Sequence, residues 1–155
     1  MKSVLFVCTA NMCRSPMAQG LFLAQLGEEH QDWRIESAGV AAMEGVSASQ
    51  KALQILLEKG IDLSFHKARQ IDRYLMEQFA LILVMEQRHK HILQSQYPDF
   101  ATKVYLLSEM NGQKHEIDDP IGGTLEDYRR TAFQIEAILK NGFPRIEQLA
   151  KDSPG

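Results

Sequence analysis

The sequence predicts a single α/β domain: a four-stranded, doubly wound parallel sheet with helices on both faces. Two observations carry this. Strand and helix patterns alternate along the 155 residues with short connections, which implies right-handed βαβ crossovers. Two of the strand segments, Ser3–Val7 and Leu81–Met85, are nearly unbroken apolar runs, as strands covered on both faces require.

In chain order, Ser3–Val7 is the first strand and Pro16–Leu26 the first helix. Ser15 suits its N-cap and Pro16 the first helical position. Trp33–Ser37 alternates with period two and ends at Ala38-Gly39. Ser47–Lys59 is helical, with Ala52, Ile55 and Leu56 on one face and Gly60 as the stop signal. The loop Ile61–Gln70 leads to a short helix over Asp72–Phe79. Leu81–Met85 is the third strand, Glu86–Tyr97 a helix and Val104–Leu107 the fourth strand. A long loop, Ser108–Gly123, precedes a helix from Leu125 to Lys140, with Thr124 as its cap and Asp127 complementing the dipole. Asn141-Gly142-Phe143-Pro144 breaks the pattern before a last helical turn or two, and Asp152–Gly155 are expected to fray. Nothing marks a repeat, linker or second domain, so residues 1–155 read as one unit.

Bulk properties narrow the function. A net charge of −3 without a long basic run argues against nucleic acid. No apolar stretch approaches the ~20 residues of a membrane span and no signal-peptide pattern precedes Val4, so a cytoplasmic chain is expected. The two cysteines are too few for a disulfide scaffold, and no Cys/His grouping suggests zinc. His89 and His91, two apart on a helix, do not share a face, so no metal is expected there. All five histidines read by default as structural or solvated.

The chemistry concentrates in Cys8-Thr9-Ala10-Asn11-Met12-Cys13-Arg14-Ser15, between the first strand and the first helix. Backbone N–H groups of such a turn, with the helix dipole behind them, bind anions. The same field favours a thiolate at Cys8, the reactive form of the side chain. Arg14 adds a planar fork matching two phosphoryl oxygens. The same residues would also suit a plain strand end, with Cys8 as a small apolar residue and Arg14 at the surface. Cys13 has two readings as well: a reversible bond to Cys8, or packing behind the loop. A departing oxygen would need a general acid, and Asp118-Asp119-Pro120 in the long loop is the best candidate. Pro120 biases Asp119 away from the helical region and stiffens its backbone.

Taken together, these residues resemble the low-molecular-weight protein tyrosine phosphatase family. The resemblance runs through Val4-Leu5-Phe6-Val7-Cys8, the loop to Arg14-Ser15-Pro16, Trp33-Arg34-Ile35-Glu36-Ser37-Ala38-Gly39, His66-Lys67-Ala68-Arg69-Gln70 and Asp119-Pro120. It implies a four-stranded parallel sheet, no cofactor, and phosphorylated proteins or peptides as partners of a monomer. It implies that Cys8 takes the phosphoryl group, that Arg14 and the loop amides of Thr9, Ala10, Asn11, Met12 and Cys13 hold its oxygens, and that Asp119 serves first as acid and then as base. Asn11 resembles the residue that shapes the loop through Ser15, Ser37 and His66. Ser15 resembles the hydroxyl that supports the thiolate, and Cys13 the second cysteine of a protective disulfide.

Departures from the family pattern bear on the substrate. Ala10 stands where Gly is usual, so the backbone there must tolerate a Cβ. Met12 occupies a position that is bulky and apolar in tyrosine-specific members and Thr in members acting on phosphoarginine. Ile121 and Met43 fall at wall positions that are often aromatic, although Met43 also reads as ordinary packing. The resulting expectation is a phosphotyrosine phosphatase. An arginine phosphatase on the same scaffold is the alternative, and a thiol-dependent arsenate reductase ranks third because only Cys8 and Cys13 are present.

Overall fold

Four parallel strands pair in the order β2-β1-β3-β4, with β1 at Lys2–Cys8, β2 at Trp33–Gly39, β3 at Leu81–Val84 and β4 at Val104–Leu106. The computed structural model describes residues 1–151, so the expectation for Asp152–Gly155 lies outside the described residues. Six helices flank the sheet: α1 (Arg14–Leu26), α2 (Gln50–Leu57), α3 (Arg73–Gln78), α4 (Gln87–Gln96), α5 (Leu125–Asn141) and α6 (Phe143–Leu149). Three 3₁₀ segments, Gly27–Asp32, Pro98–Lys103 and Leu107–Asn111, complete the connections.

Period-two alternation in β1 divides the core into two layers. Val4 and Phe6 face α1, α2, α5 and α6, packing with Met17, Phe22, Ile55, Leu56, Ile135 and Ile146. Leu5 and Val7 face α3 and α4, packing with Leu75, Met76 and Leu93. β1 is buried on both sides because its neighbours β2 and β3 close it off and each face carries helices. The continuous apolar run in the sequence follows from that placement.

The starts of α2, α3 and α5 obey local capping chemistry. Ser49 accepts the Ala52 amide at 3.2 Å and Asp72 accepts the Leu75 amide at 2.8 Å. Thr124 and Asp127 form a reciprocal capping box on α5, at 3.2 and 2.9 Å. The expected Ser15 cap on α1 is a correction. α1 begins at Arg14 with Cys13 at its N-cap and no side-chain cap bond, so Ser15 lies inside the first turn. Its hydroxyl is committed elsewhere, to Cys8, Asn11 and the Ala38 carbonyl. Pro16 is still accommodated, because first-turn N–H groups have no intrahelical acceptor.

The connection from Cys8 to Arg14 leaves the sheet at its carboxyl edge, where parallel α/β sheets place their ligands. It is stitched to the strand beside it. The Val40 amide donates to Cys8 O at 3.0 Å and the Ala41 amide to Thr9 O at 2.8 Å. Gly39 makes this approach possible: a Cβ there would stand 2.5 Å from Thr9 O and 3.0 Å from Asn11 N. Both contacts are to backbone, which cannot swing aside. Gly39→Ala should therefore cost about 1–3 kcal/mol in urea unfolding. An unchanged midpoint would show that the loop can retreat from the strand.

Candidate active site

Within the loop the backbone turns at Asn11, whose φ of 59° makes it the one non-glycine residue in the left-handed region among those described. Ala10 keeps a negative φ, so its Cβ brings none of the strain that the expected glycine would have relieved. Asn11 is fully buried and every polar atom of its side chain is engaged. Its Oδ1 accepts the Arg69 amide at 3.0 Å, which orients the amide group. Its Nδ2 then donates to Ser15 Oγ at 2.7 Å and to Ser37 Oγ at 3.0 Å. Its carbonyl accepts His66 Nε2 at 2.8 Å, which sets the His66 tautomer. Burial pushes the His66 ring below its ordinary value, against the pull of that bond.

The donors in this network run one way. Gln19 Nε2 donates to Ile35 O at 3.3 Å, which leaves its Oε1 to accept the Ser37 hydroxyl at 2.7 Å. Ser37 in turn accepts from Asn11. Ser15, also an acceptor from Asn11, lies 3.3 Å from Ala38 O and 3.0 Å from Cys8 Sγ, so its one hydrogen can go to either the carbonyl or a thiolate. Among the described residues, the amides of Ala10, Asn11, Met12 and Cys13 make no main-chain hydrogen bond.

Arg14 is 1% exposed, a cost that only close partners offset. Its Nη1 contacts Glu86 Oε2 at 2.7 Å and donates to Ile117 O at 2.6 Å. Its Nη2 lies 3.5 Å from both Asp119 Oδ2 and Thr9 Oγ1. Its Nε is buried without a partner among the described residues. Burial alone would raise the Glu86 carboxyl, but hydrogen bonds from Arg14 and Arg88 hold it below the usual carboxylate range.

The segment opening α4 was not read as functional in the sequence, yet it backs the loop with three side chains. Besides Glu86, His89 is wholly buried and its Nδ1 accepts the Glu86 amide at 3.1 Å. Its Nε2 therefore carries the proton and donates to Thr9 Oγ1 at 2.9 Å. Arg88 reaches the same oxygen at 2.6 Å. His89 is thus structural, as expected by default, but its partner lies 80 residues distant in sequence, which no local spacing announces. An acidic residue just after a buried strand of an α/β sheet was the one available signal.

One narrow pocket gathers Cys8, Ala10, Met12, Cys13, Arg14, Asp119 and Ile121. Met43 stands outside it, 72% exposed, because the turn carrying it is bound to Ala68 rather than folded over the loop. Asp119 Oδ1 accepts the Ile121 amide at 3.1 Å, which pins the carboxylate beside Arg14. Asp118 precedes it but does not line this pocket. Cys13 lies 3.4 Å from Ser49 Oγ and 3.4 Å from Tyr128 Oη, and burial pushes its thiol up. Desolvation likewise pushes Tyr128 up to about 12. Among the described residues no cluster of three His, Cys, Asp or Glu could hold a metal, and no helix is long and apolar enough to cross a membrane.

Burial pushes His89 down from 6.5 to about 4, outweighing the attraction of Glu86. The unfolded chain thus binds more protons than the folded one between those values. The stability due to this residue is full above about pH 6.5 and drains away as pH falls toward 4. His89→Gln, which can keep the bond to Thr9, should remove about 2 kcal/mol of the difference in urea unfolding between pH 7 and pH 5. An unaltered acid slope would mean that His89 titrates in the fold as it does in the unfolded chain.

A family model described as low molecular weight phosphotyrosine protein phosphatase matches residues 3–154. A protein-arginine-phosphatase of Bacillus subtilis is 37% identical over 96% of this chain and 97% of its own. The low molecular weight protein-tyrosine-phosphatase Wzb of Escherichia coli K12 is 36% identical over 81% of this chain and 82% of its own. Among solved structures, a low molecular weight protein tyrosine phosphatase from T. tengcongensis superimposes with a TM-score of 0.89. It is 39% identical and covers 94% of this chain and 99% of its own. With one loop joining a buried thiol to a buried guanidinium beneath an aspartate, and the match running nearly end to end, this chain belongs to the low-molecular-weight protein tyrosine phosphatase family.

Proposed function

We propose that this enzyme hydrolyses phosphotyrosine in proteins or peptides through a phosphocysteine on Cys8. The observation that carries the reading is the shared pocket of Cys8, Arg14 and Asp119, with Arg14 Nε buried and unpartnered among the described residues. A buried donor without an acceptor costs about 1–3 kcal/mol, and a phosphoryl oxygen would relieve it.

In the first step the Cys8 thiolate attacks phosphorus and an S–P bond forms. The P–O bond to the tyrosyl oxygen breaks, and Asp119 gives its proton to that oxygen. In the second step Asp119, now a carboxylate, takes a proton from water as the water oxygen bonds to phosphorus. The S–P bond breaks, leaving inorganic phosphate and the thiolate. Arg14 and the loop amides hold the equatorial oxygens, so positioning and charge do most of the work. Asn11, Ser15, Ser37 and His66 keep the loop and the thiolate in place. Cys13 serves as the partner that can cover an oxidised Cys8 by disulfide formation. On this reading residues 1–155 act as one monomeric, cytoplasmic domain without cofactor, membrane or nucleic acid.

The pocket walls favour tyrosine, because Ala10, Met12 and Ile121 offer apolar surface to an aromatic ring. The arginine reading is kept because the Bacillus subtilis relative bears that name at 37% identity. Arsenate reduction is disfavoured, since both cysteines lie in the phosphate loop and none is left to resolve from another segment.

Cys8→Ser should abolish hydrolysis of an aryl phosphate, and surviving turnover would refute the covalent route. With a poor leaving group, Asp119→Asn should slow the first step about 10²–10⁴-fold, whereas Asp118→Asn should act weakly. Equal losses would reassign the acid. Rates on matched phosphotyrosine and phosphoarginine peptides should favour phosphotyrosine, and Met12→Thr should narrow the gap. A clear preference of the wild type for phosphoarginine would overturn the substrate assignment.

A further inference from the structure

Behind the phosphate loop, α1 and the loop after α2 enclose a groove of about 550 Å³, within the usual range for a small-molecule site. Gln19, Leu23 and Ala24 line it from α1, and Ile61, Leu63 and His66 from the loop after α2. Phe65, 87% exposed, stands over its edge. A second cavity of about 310 Å³ shares Gln19, Phe65 and His66 with it, so the recess continues around the Phe65 ring.

The polar groups of the larger groove are biased toward acceptors. Among the described residues no Lys or Arg lines it, and its charged or titratable side chains are the Asp62 carboxylate and the rings of His30 and His66; the adjoining cavity adds Lys67 and Arg69 beside Glu36. Asp62 Oδ1 accepts the Ser64 amide at 2.8 Å, and the Ser64 hydroxyl bonds the same exposed carboxylate. His66 donates through Nε2 to Asn11 O, so its Nδ1 is a lone-pair acceptor, and it has no partner among the described residues. An exposed aromatic face adds attraction for a cation.

Two lining residues also belong to the network that ends on Cys8. Gln19 accepts from Ser37, and His66 donates to the carbonyl of Asn11. A donor bound at His66 Nδ1 would polarise the ring and strengthen its Nε2–H bond to Asn11. The left-handed Asn11 would be held more firmly, and with it Ser15 and the thiolate.

We propose that this groove is an effector site for a small aromatic ammonium compound, coupled to the nucleophile through His66 and Asn11. The body of the ligand lies against Phe65, Leu23, Ile61 and Leu63, and its N–H groups reach Asp62 and His66 Nδ1.

The test uses 2-phenylethylamine as probe and phenylacetate, of like shape and opposite charge, as control. In heteronuclear NMR the amine should shift the His66 ring and the Asn11 amide, and phenylacetate should not. Asp62→Asn, which retains an acceptor for Ser64, and Phe65→Ala should each weaken that binding while leaving basal turnover unchanged. Saturating amine should raise kcat on an aryl phosphate about twofold or more, without altering inhibition by inorganic phosphate. Absence of shifts, equal binding of phenylacetate, or competition with phosphate would overturn the site. Shifts at His66 with kcat unchanged or lowered would overturn the coupling. The NMR arm is independent of the phosphatase reading, on which only the kinetic arm rests.

Discussion

The arrangement depends on one residue held in a conformation that its type rarely adopts. Asn11 sits at φ 59°, a region that costs an L-residue roughly 1–2 kcal/mol. Asn pays less than most, because its short amide can satisfy nearby backbone. Here four hydrogen bonds, from Arg69, to Ser15, to Ser37 and from His66, offset that strain, each contributing on the order of 1 kcal/mol. The fixed amide orientation imposes a direction on every hydroxyl around it. Ser15 must accept from Asn11, which leaves its hydrogen for the Cys8 sulfur or the Ala38 carbonyl. The loop is thus shaped before any anion arrives, which is the condition for electrostatic preorganisation.

Arg14 presents the complementary problem, a full charge withdrawn from water. A buried ion pair seldom adds stability once desolvation is counted, so the pairing of Arg14 with Glu86 and Ile117 O is better understood as orientation. It occupies Nη1, while Nε has no partner among the described residues and Nη2 lies close to Asp119 and Thr9. α4 contributes through its first turn, because the geometry that caps the helix also delivers Glu86, Arg88 and His89 to the back of the loop. Stability and site geometry therefore share residues, and a change at Glu86 or His89 touches both.

Much of this was legible in the chain. The strand segments and the α5 cap follow from local rules, since periodicity and capping act over a few residues. Local rules missed at Ser15, where a tertiary bond claimed the hydroxyl that a cap would have used, and at boundaries: α2 starts at Gln50 rather than Ser47, and a 3₁₀ turn at Leu107–Asn111 enters the expected long loop. Cys8, Arg14, Asp119, Ser37 and His66 were also within reach, the last two through family resemblance rather than spacing. Glu86, Arg88 and His89 were not, nor was the backbone contact that requires Gly39. Their effect rests on distances between segments roughly 30 to 80 residues apart in sequence, and no pattern within a segment encodes that separation.

By itself, then, the sequence determined the α/β alternation, the place of the phosphate loop at the end of the first strand, and the chemical types gathered in it. Those properties reside in residue identity and short-range order. Only the tertiary structure decided which acceptor faces which donor: the rotation of the Asn11 amide, the tautomers of His66 and His89, the exclusion of Met43 from the pocket and the inclusion of Ile121. These follow from how strands and helices pack. A hydrogen bond is made or lost within a few tenths of an ångström, a precision that sequence pattern does not carry.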